Sequence, residues 1–319
     1  MESIDIKSVS RRARFTSAVG PVLSWAAAFV VLAACLGIIG YLIFKGMHAI
    51  NWAFLTTDPS PSMDEGAGGG VRVPIAGTFL LVLLSMVVAV PIAIGASVYL
   101  AEYMDETKRL TRVVRIGLEV LASVPSVVFG MFGLAVFTLP LFVFLSASGA
   151  ENASAAFGRS FIVASIVMGI HVLPFIVKVC EEAIHSVPQS FRQGAAALGM
   201  TKWRAVRKIV LPAAGPGIAT GVVLGMGLAA GDTAIVWLTL GGTMTMASDQ
   251  WWLPQNALTV LKGTGSTLTT FTYFNSPAGE GNSEALAFGA ALVLIVLVLV
   301  LNFAALAIAR SQQRAGRSS

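Results

Sequence analysis

Long apolar runs separated by short polar breaks set the pattern of this chain. Six runs stand out, at about 21–44, 73–100, 113–137, 161–180, 215–240 and 285–308. Each approaches or exceeds the ~20 residues that a helix needs to cross a hydrocarbon core of roughly 30 Å. Pro91 and Pro125 fall inside the second and third runs, where membrane helices tolerate proline. The third run continues beyond Pro140 to Leu145 as a broken or tilted extension. The breaks differ in character. Residues 45–72 carry Pro59, Pro61 and a Gly68-Gly69-Gly70 run, the punctuation of an exposed, partly mobile connection. Residues 146–158 are small and polar. Residues 241–285 are mixed, and Trp251-Trp252 suggests a membrane-interface segment. The pattern predicts an all-α polytopic membrane protein with about six transmembrane helices.

Composition sharpens this. Of 319 residues, 56% are hydrophobic and 12% charged, about half the ~25% charged share of a soluble domain. A soluble enzyme is excluded. Cys35 and Cys180 both lie in apolar runs and offer neither a disulfide framework nor metal-ligand spacing. Leu32-Ala33-Ala34-Cys35 imitates a lipoprotein cleavage box. The apolar run continues past Cys35 to Phe44, as a membrane helix does. The net charge of +5 does not mark a nucleic-acid binder, because the basic residues sit in loops between apolar runs. Sixteen of the 21 Lys and Arg residues fall in the two terminal tails and the loops 101–115 and 183–213. Lys45, Arg72, Arg159 and Lys262 lie on the other side, and Lys178 lies within the fourth run. The positive-inside rule places both termini and both basic loops in the cytoplasm.

The most informative loop is 183–213. Pro188 suits the first turn of a helix. Phe191, Ala195 and Leu198 recur at helical spacing and form one apolar face. Gly199 supplies a left-handed stop. Thr201 can cap a second short helix that runs through Lys202, Arg204, Arg207 and Lys208 to Leu211-Pro212. Two helices this short are not stable alone in water, so the element calls for a partner surface, such as a groove that receives an amphipathic helix. The chain has no Gly-x4-Gly-Lys-Ser/Thr phosphate loop and should not itself hydrolyse ATP. His48, His171 and His185 are scattered, no zinc spacing or nucleophile elbow occurs, and no catalytic or metal-binding residue is assigned.

The stretch VPQSFRQGAAALGMTKWRAVRKIVLPAAGPGI (187–218) resembles the cytoplasmic coupling loop of ABC-importer permeases. That loop reads Glu-Ala-Ala, three variable residues, Gly, nine variable residues, then Ile-x-Leu-Pro. Gly199, Ile209, Leu211 and Pro212 fit this spacing, while Gln193-Gly194-Ala195 stands where Glu-Ala-Ala is usual. With GTFLLVLLSMVVAVPIAIGASVYLAEY (77–103) and VLASVPSVVFGMFG (120–133), the likeness covers roughly 70–310 and is greatest to the PstA-type permease of phosphate importers. It implies type I (MetI-like) architecture and an inner-membrane, multi-pass location. The implied partners are a second, PstC-like permease, two PstB-like ATPase subunits carrying ATP and Mg, and an extracytoplasmic PstS-like phosphate-binding protein. No cofactor is expected on this chain. Phe191, Arg192, Gln193, Gly194, Ala195, Leu198, Gly199, Leu211 and Pro212 then form the ATPase-coupling loop. The implied organisation is a cytoplasmic tail (1–18), a first helix with its outer loop (19–72), the permease domain (73–310) and a short cytoplasmic tail (311–319). A permease for molybdate, tungstate or sulfate is the nearest alternative. A stand-alone secondary transporter or channel is the more distant one.

Candidates for translocation or gating come from the spans. Gly217, Gly221 and Gly225 recur every four residues, with Gly227 and Gly231 beyond. Such a stripe serves close helix packing within the chain or a contact near a dimer core that shifts during gating. Asp232, in Gly-Asp-Thr where the family commonly has Gly-Glu-Thr, is an acid in an apolar setting, which by default marks function. It could pair with Lys178, order a helix end, or help release an anion by repulsion. Lys178 could equally pair with Glu182 or snorkel to the interface. With no arginine inside a span, an anion path would rely on backbone N–H groups and hydroxyls, and Ser123 and Ser126 beside Pro125, and Thr233, are the candidates.

Overall fold

The computed structural model describes residues 11–59, 69–104, 109–146, 158–248, 250–281 and 283–315. Among these the regular elements are all helical. Helix α1 (Arg11–Gly46) carries the first apolar run, and its side chains from Gly20 onward lie almost wholly exposed until Gly46 meets the last helix. A single turn, α2 (Trp52–Thr56), follows, capped by the Asn51 side chain, which accepts from the Phe54 N–H. The loop beyond it is pinned at its described ends. Gly70 is buried against Thr57, and Arg72 forms an ion pair with Asp58.

Helix α3 (Arg72–Val98) widens into a π-helical turn, Tyr99–Tyr103. It packs along α6 (Phe161–His185), the most centrally placed helix, which Ser160 caps by accepting from the Val163 N–H. Leu81, Val82, Met86 and Ala89 of α3 meet Val163, Met168, Val172 and Ile176 of α6 in the main core. All are buried. Burial of apolar atoms carries little weight against lipid, so close van der Waals fit and small residues hold this interface.

The third apolar run is not one straight span. It forms α4 (Arg109–Ser123) and α5 (Ser126–Phe137), bent by 102° at Val124-Pro125. Proline lacks the N–H that would continue the ladder and biases the residue before it away from helix. The run nevertheless traverses the molecule. Arg115 touches Glu181, Phe129 stacks on His171, Gly133 packs against Val167, and the Leu145 carbonyl accepts from Ser160. After the elbow the contacts climb along one partner as they descend along the other, so 126–145 runs antiparallel to α6, while Arg115 ties α4 across the Glu181 end. A 3-10 helix, Pro140–Leu145, completes the passage.

Beyond α6 comes α7 (Gln189–Ala197), then α8 (Lys202–Ala205), which passes through a π turn, Val206–Val210, into α9 (Leu211–Gly231). The second loop helix therefore does not stop at Leu211-Pro212. It runs on without a break into the next span, 30 residues in all. The π turn explains how. The Leu211 N–H reaches back to the Val206 carbonyl, five residues away, and the bulge absorbs the bond that Pro212 cannot make. The fifth run ends early, at Gly231, and resumes as a short helix, α10 (Ala234–Thr239). The mixed segment that follows is folded rather than merely interfacial. Helix α11 (Ala257–Lys262) packs against α6, and α12 (Leu268–Asn275) docks on α3, where the Leu268 N–H donates to Thr78 Oγ1 at 2.8 Å. Trp252 is exposed beneath the Arg72 guanidinium. The last helix, α13 (Glu284–Ala315), packs on α9 and α12 and continues past the predicted end at 308. Among the described residues five helices are long and apolar enough to cross a membrane, and counting the bent α4–α5 pair as one span gives six.

Candidate coupling loop and helix breaks

Two places gather the residues singled out from the sequence. The first is the turn between α6 and α9. Helix α7 ends as predicted at Gly199, whose φ of +69° is a left-handed conformation. The Gly199 N–H donates to the Ala196 carbonyl and the Met200 N–H to the Ala195 carbonyl, a Schellman closure. Pro188 stands one residue ahead of the helix, at the cap position, rather than within its first turn. Thr201 occupies the cap position of α8 but its side chain makes no capping bond.

Arg192 fixes the angle at which α7 leaves the bundle. Its guanidinium donates to Glu102 Oε1 through Nε at 2.9 Å and Nη2 at 2.7 Å. It also donates to the carbonyls of Val187, at 2.6 Å, and Ile184, at 3.0 Å. One side chain thus ties the loop helix to the end of α6 and to the π turn after α3. A planar fork suits this multiple docking and an ammonium does not. Glu102 was outside the residues predicted for the loop. No local spacing announces a partner 90 positions away.

The apolar face splits in two. Ala195 is buried, while Phe191 is 49% exposed and Leu198 81% exposed. Trp203, at 57%, joins them from α8. Gln193 and Gly194 lie exposed on α7, and nothing stands within 4 Å of the place a Gly194 Cβ would occupy. Leu211 is half-buried and Pro212 exposed at the start of α9. Behind α7, Glu102, His185, Gln189, Arg192, Met200 and Lys202 help to line a cavity of about 510 Å³. The loop is held from within and presents large apolar groups outward.

The second place is where helices break. The Asp232 carboxylate accepts from the Ile235 N–H at 2.8 Å and so caps α10. Of the roles open to Asp232, the geometry supplies this one. The Thr233 carbonyl accepts from the Trp237 N–H. Helix α5 packs on α10 at Gly130, where an added Cβ would sit 3.2 Å from the Ile235 Cα. This contact carries the Pro125 elbow and the Asp232-Thr233 break on neighbouring elements. The Ser123 hydroxyl donates to the Val120 carbonyl, the Pro125 carbonyl accepts from Val128 and Phe129, and Ser126 opens α5 half-buried. His171, edge-on to Phe129 at 5.0 Å, lies within electrostatic reach of Asp232, and its buried Nδ1 has no hydrogen-bond partner among the described residues. No spacing to a partner singles out His171 along the chain.

Lys178 and Gly225 belong elsewhere. Lys178 is exposed on α6 and forms no ion pair among the described residues, with Glu182 or with Asp232. Glu181, its neighbour, takes Arg115 at 2.8 Å and His185 at 3.6 Å. The glycine stripe is used inside the chain. Gly217 faces Ala183, Gly221 faces Val179 and Cys180, and Gly225 faces Ile176, so α9 lies close along α6. Gly227 and Gly231 face open space.

The helical bundle thus carries a basic helical turn before α9, its penultimate long helix among the described residues. The chain belongs to the family of binding-protein-dependent transport system inner membrane components, which it matches over residues 89–315. It is 31% identical over 281 residues to a probable ABC transporter permease protein, YqgI, of Bacillus subtilis, covering 87% of this chain and 90% of that one. It is also 31% identical to the phosphate transport system permease protein PstA 2 of Mycobacterium bovis, over 90% of this chain and 85% of that one. In fold it is similar to a chain of a bacterial alginate ABC transporter in complex with a pentasaccharide-bound periplasmic protein, with a TM-score of 0.59, 18% identity and coverage of 96% and 99%. The chain is thus an all-α, multi-pass ABC-importer permease of MetI-like fold.

Proposed function

We propose that this chain is a membrane-spanning subunit of an ATP-driven phosphate importer. The observation that carries the coupling role is the loop 183–213, clamped at its base by Arg192 and presenting Phe191, Leu198 and Trp203 outward. Such a surface suits a groove on an ATPase subunit. Phosphate is supported by the likeness to proteins named as phosphate permeases. Six passages set both termini on one side, and the distribution of Lys and Arg favours the cytoplasm for that side. The proposed assembly adds a second, PstC-like permease, two PstB-like ATPase subunits that bind ATP and Mg, and an extracytoplasmic PstS-like phosphate-binding protein.

Closure of the ATPase pair would carry the two coupling loops together. Because α8 and α9 form one continuous helix, displacement of the loop passes directly to the span 211–231, and through its glycine contacts to α6. ATP can shift the spans only if the loop is held differently in the open and closed ATPase states. The Pro125 elbow and the Asp232-Thr233 break are the candidate points of flexure. Backbone N–H groups and hydroxyls there, Ser123 and Ser126 among them, are the candidate anion contacts. The test is purification of the tagged chain in mild detergent, followed by ATPase assay with the binding protein. An ATPase and a second permease should co-purify, and phosphate should stimulate turnover. Stimulation by molybdate, tungstate or sulfate instead would change the substrate. Uptake into proteoliposomes by the lone chain without ATP would overturn the reading.

A further inference from the structure

We propose that α4 lies in the plane of the cytoplasmic membrane surface, seated on anionic phospholipid. Helix α5 runs alongside α6 in antiparallel register, as the pairs Phe129–His171 and Gly133–Val167 show. The 102° elbow therefore turns α4 almost perpendicular to α6, and Arg115 holds it at the Glu181 end. A helix across the end of a span, rather than along it, lies near the headgroup boundary.

Its side chains fit that position. At about 100° per residue, α4 divides into three stripes. Val114 and Leu118 pack against the core. Val113, Ile116 and Val120 form a second stripe, each more than half exposed. Arg112, Arg115 and Glu119 form a third, and Arg112 and Glu119 are exposed. Arg115 points this stripe toward the cytoplasmic end of α6, which turns the exposed apolar stripe toward the hydrocarbon. In a spanning orientation Arg112 and Glu119 would both face lipid. In the plane they meet water and headgroups. Arg109, at the start of the exposed apolar stripe, and Arg112 beside it form no ion pair among the described residues, which leaves the first turn of α4 basic. Basic helices with one apolar face are the kind that anionic lipid surfaces hold.

The inference rests on the cytoplasmic placement of the coupling loop, which is tested separately. Gln193→Cys should react with an impermeant maleimide from the cytoplasmic side, and reaction only from the other side would overturn both. For α4, the intact transporter in nanodiscs is spin-labelled singly at Arg112→Cys, Val113→Cys, Ile116→Cys, Glu119→Cys and Val120→Cys, in a Cys35→Ser background. Labels at 113, 116 and 120 should report oxygen-rich surroundings at one common shallow depth, and those at 112 and 119 a water-soluble nickel chelate. Depth rising steadily from 113 to 120 would show a spanning helix. Shielding of 113, 116 and 120 from both reagents would show a subunit interface. Either overturns the proposal. In discs mixing phosphatidylglycerol and phosphatidylcholine, enrichment of phosphatidylglycerol at the protein should fall about fivefold for each of Arg109→Gln and Arg112→Gln. Unchanged enrichment in the double variant would overturn the headgroup contact.

Discussion

Arg192 and Glu102, 90 positions apart, are joined by two hydrogen bonds to a single carboxylate oxygen. Glu102 is 7% exposed and Arg192 21%, so the pair is largely withdrawn from water. Removing the arginine strands a buried carboxylate and the Val187 carbonyl, whereas removing the glutamate charge strands much less. Arg192→Ala should therefore cost about 2 kcal/mol, and Glu102→Gln distinctly less. Thermal unfolding of the detergent-solubilised assembly checks the order, and the double variant should show strong non-additivity. Fully additive losses would mean that the two residues act independently.

The loop has two glycines with opposite requirements. Gly199 needs its positive φ, although nothing stands within 4 Å of where a Cβ would go. Gly199→Ala should cost about 1–2 kcal/mol from backbone conformation alone and lower the ATP-to-uptake coupling ratio, and Gly199→Pro should uncouple the two while the protein stays in the membrane. Gly194 has the same free space in the middle of α7, with ordinary helical φ. Gly194→Ala should raise stability by about 0.5–1 kcal/mol. Equal responses at the two sites in a thermal-shift assay would contradict the Schellman assignment.

Much of this was readable in advance, and the exceptions share a cause. Apolar runs located every long helix, and the Gly199 stop and the Phe191–Ala195–Leu198 periodicity located α7. Local bonding patterns write such features into local sequence. The continuity of α8 with α9 was hidden, because Pro212 is also a common stop signal and only a π turn reconciles it with a helix. The elbow at Pro125 was hidden by the reverse ambiguity: Pro91 and Pro125 look alike in sequence, yet α3 continues through one and the chain turns at the other. Arg192 with Glu102, and Arg115 with Glu181, depend on which helices become neighbours. Nothing short of the tertiary arrangement specifies them.

The glycine stripe is graded by what each position faces. Gly217 lies against the Cβ of Ala183, a side chain with no freedom to move aside. Gly225 lies against the Ile176 side chain, with a Cβ position 2.6 Å from its Cδ1, which can change rotamer. Gly227 has open space. Replacement by alanine should be most damaging at 217, at about 1–3 kcal/mol, smaller at 225 and neutral at 227. Ala183→Gly should restore stability to Gly217→Ala. Rescue that fails while the protein still inserts would mean that Gly217 is needed for a contact outside the chain.

Asp232 separates a structural from an electrostatic role by a single pair of substitutions. Its Oδ1 accepts from the Ile235 N–H, and an asparagine oxygen can accept the same bond. Asp232→Asn should leave folding and abundance near normal, whereas Asp232→Ala should cost about 1 kcal/mol as a lost cap. The carboxylate also stands within electrostatic reach of His171 on α6. Neutralising it without disturbing the cap isolates that charge. Uptake by Asp232→Asn should change more than assembly does, and measurement of transport against membrane abundance decides the matter. Full uptake at normal abundance would leave capping as the whole role of the residue.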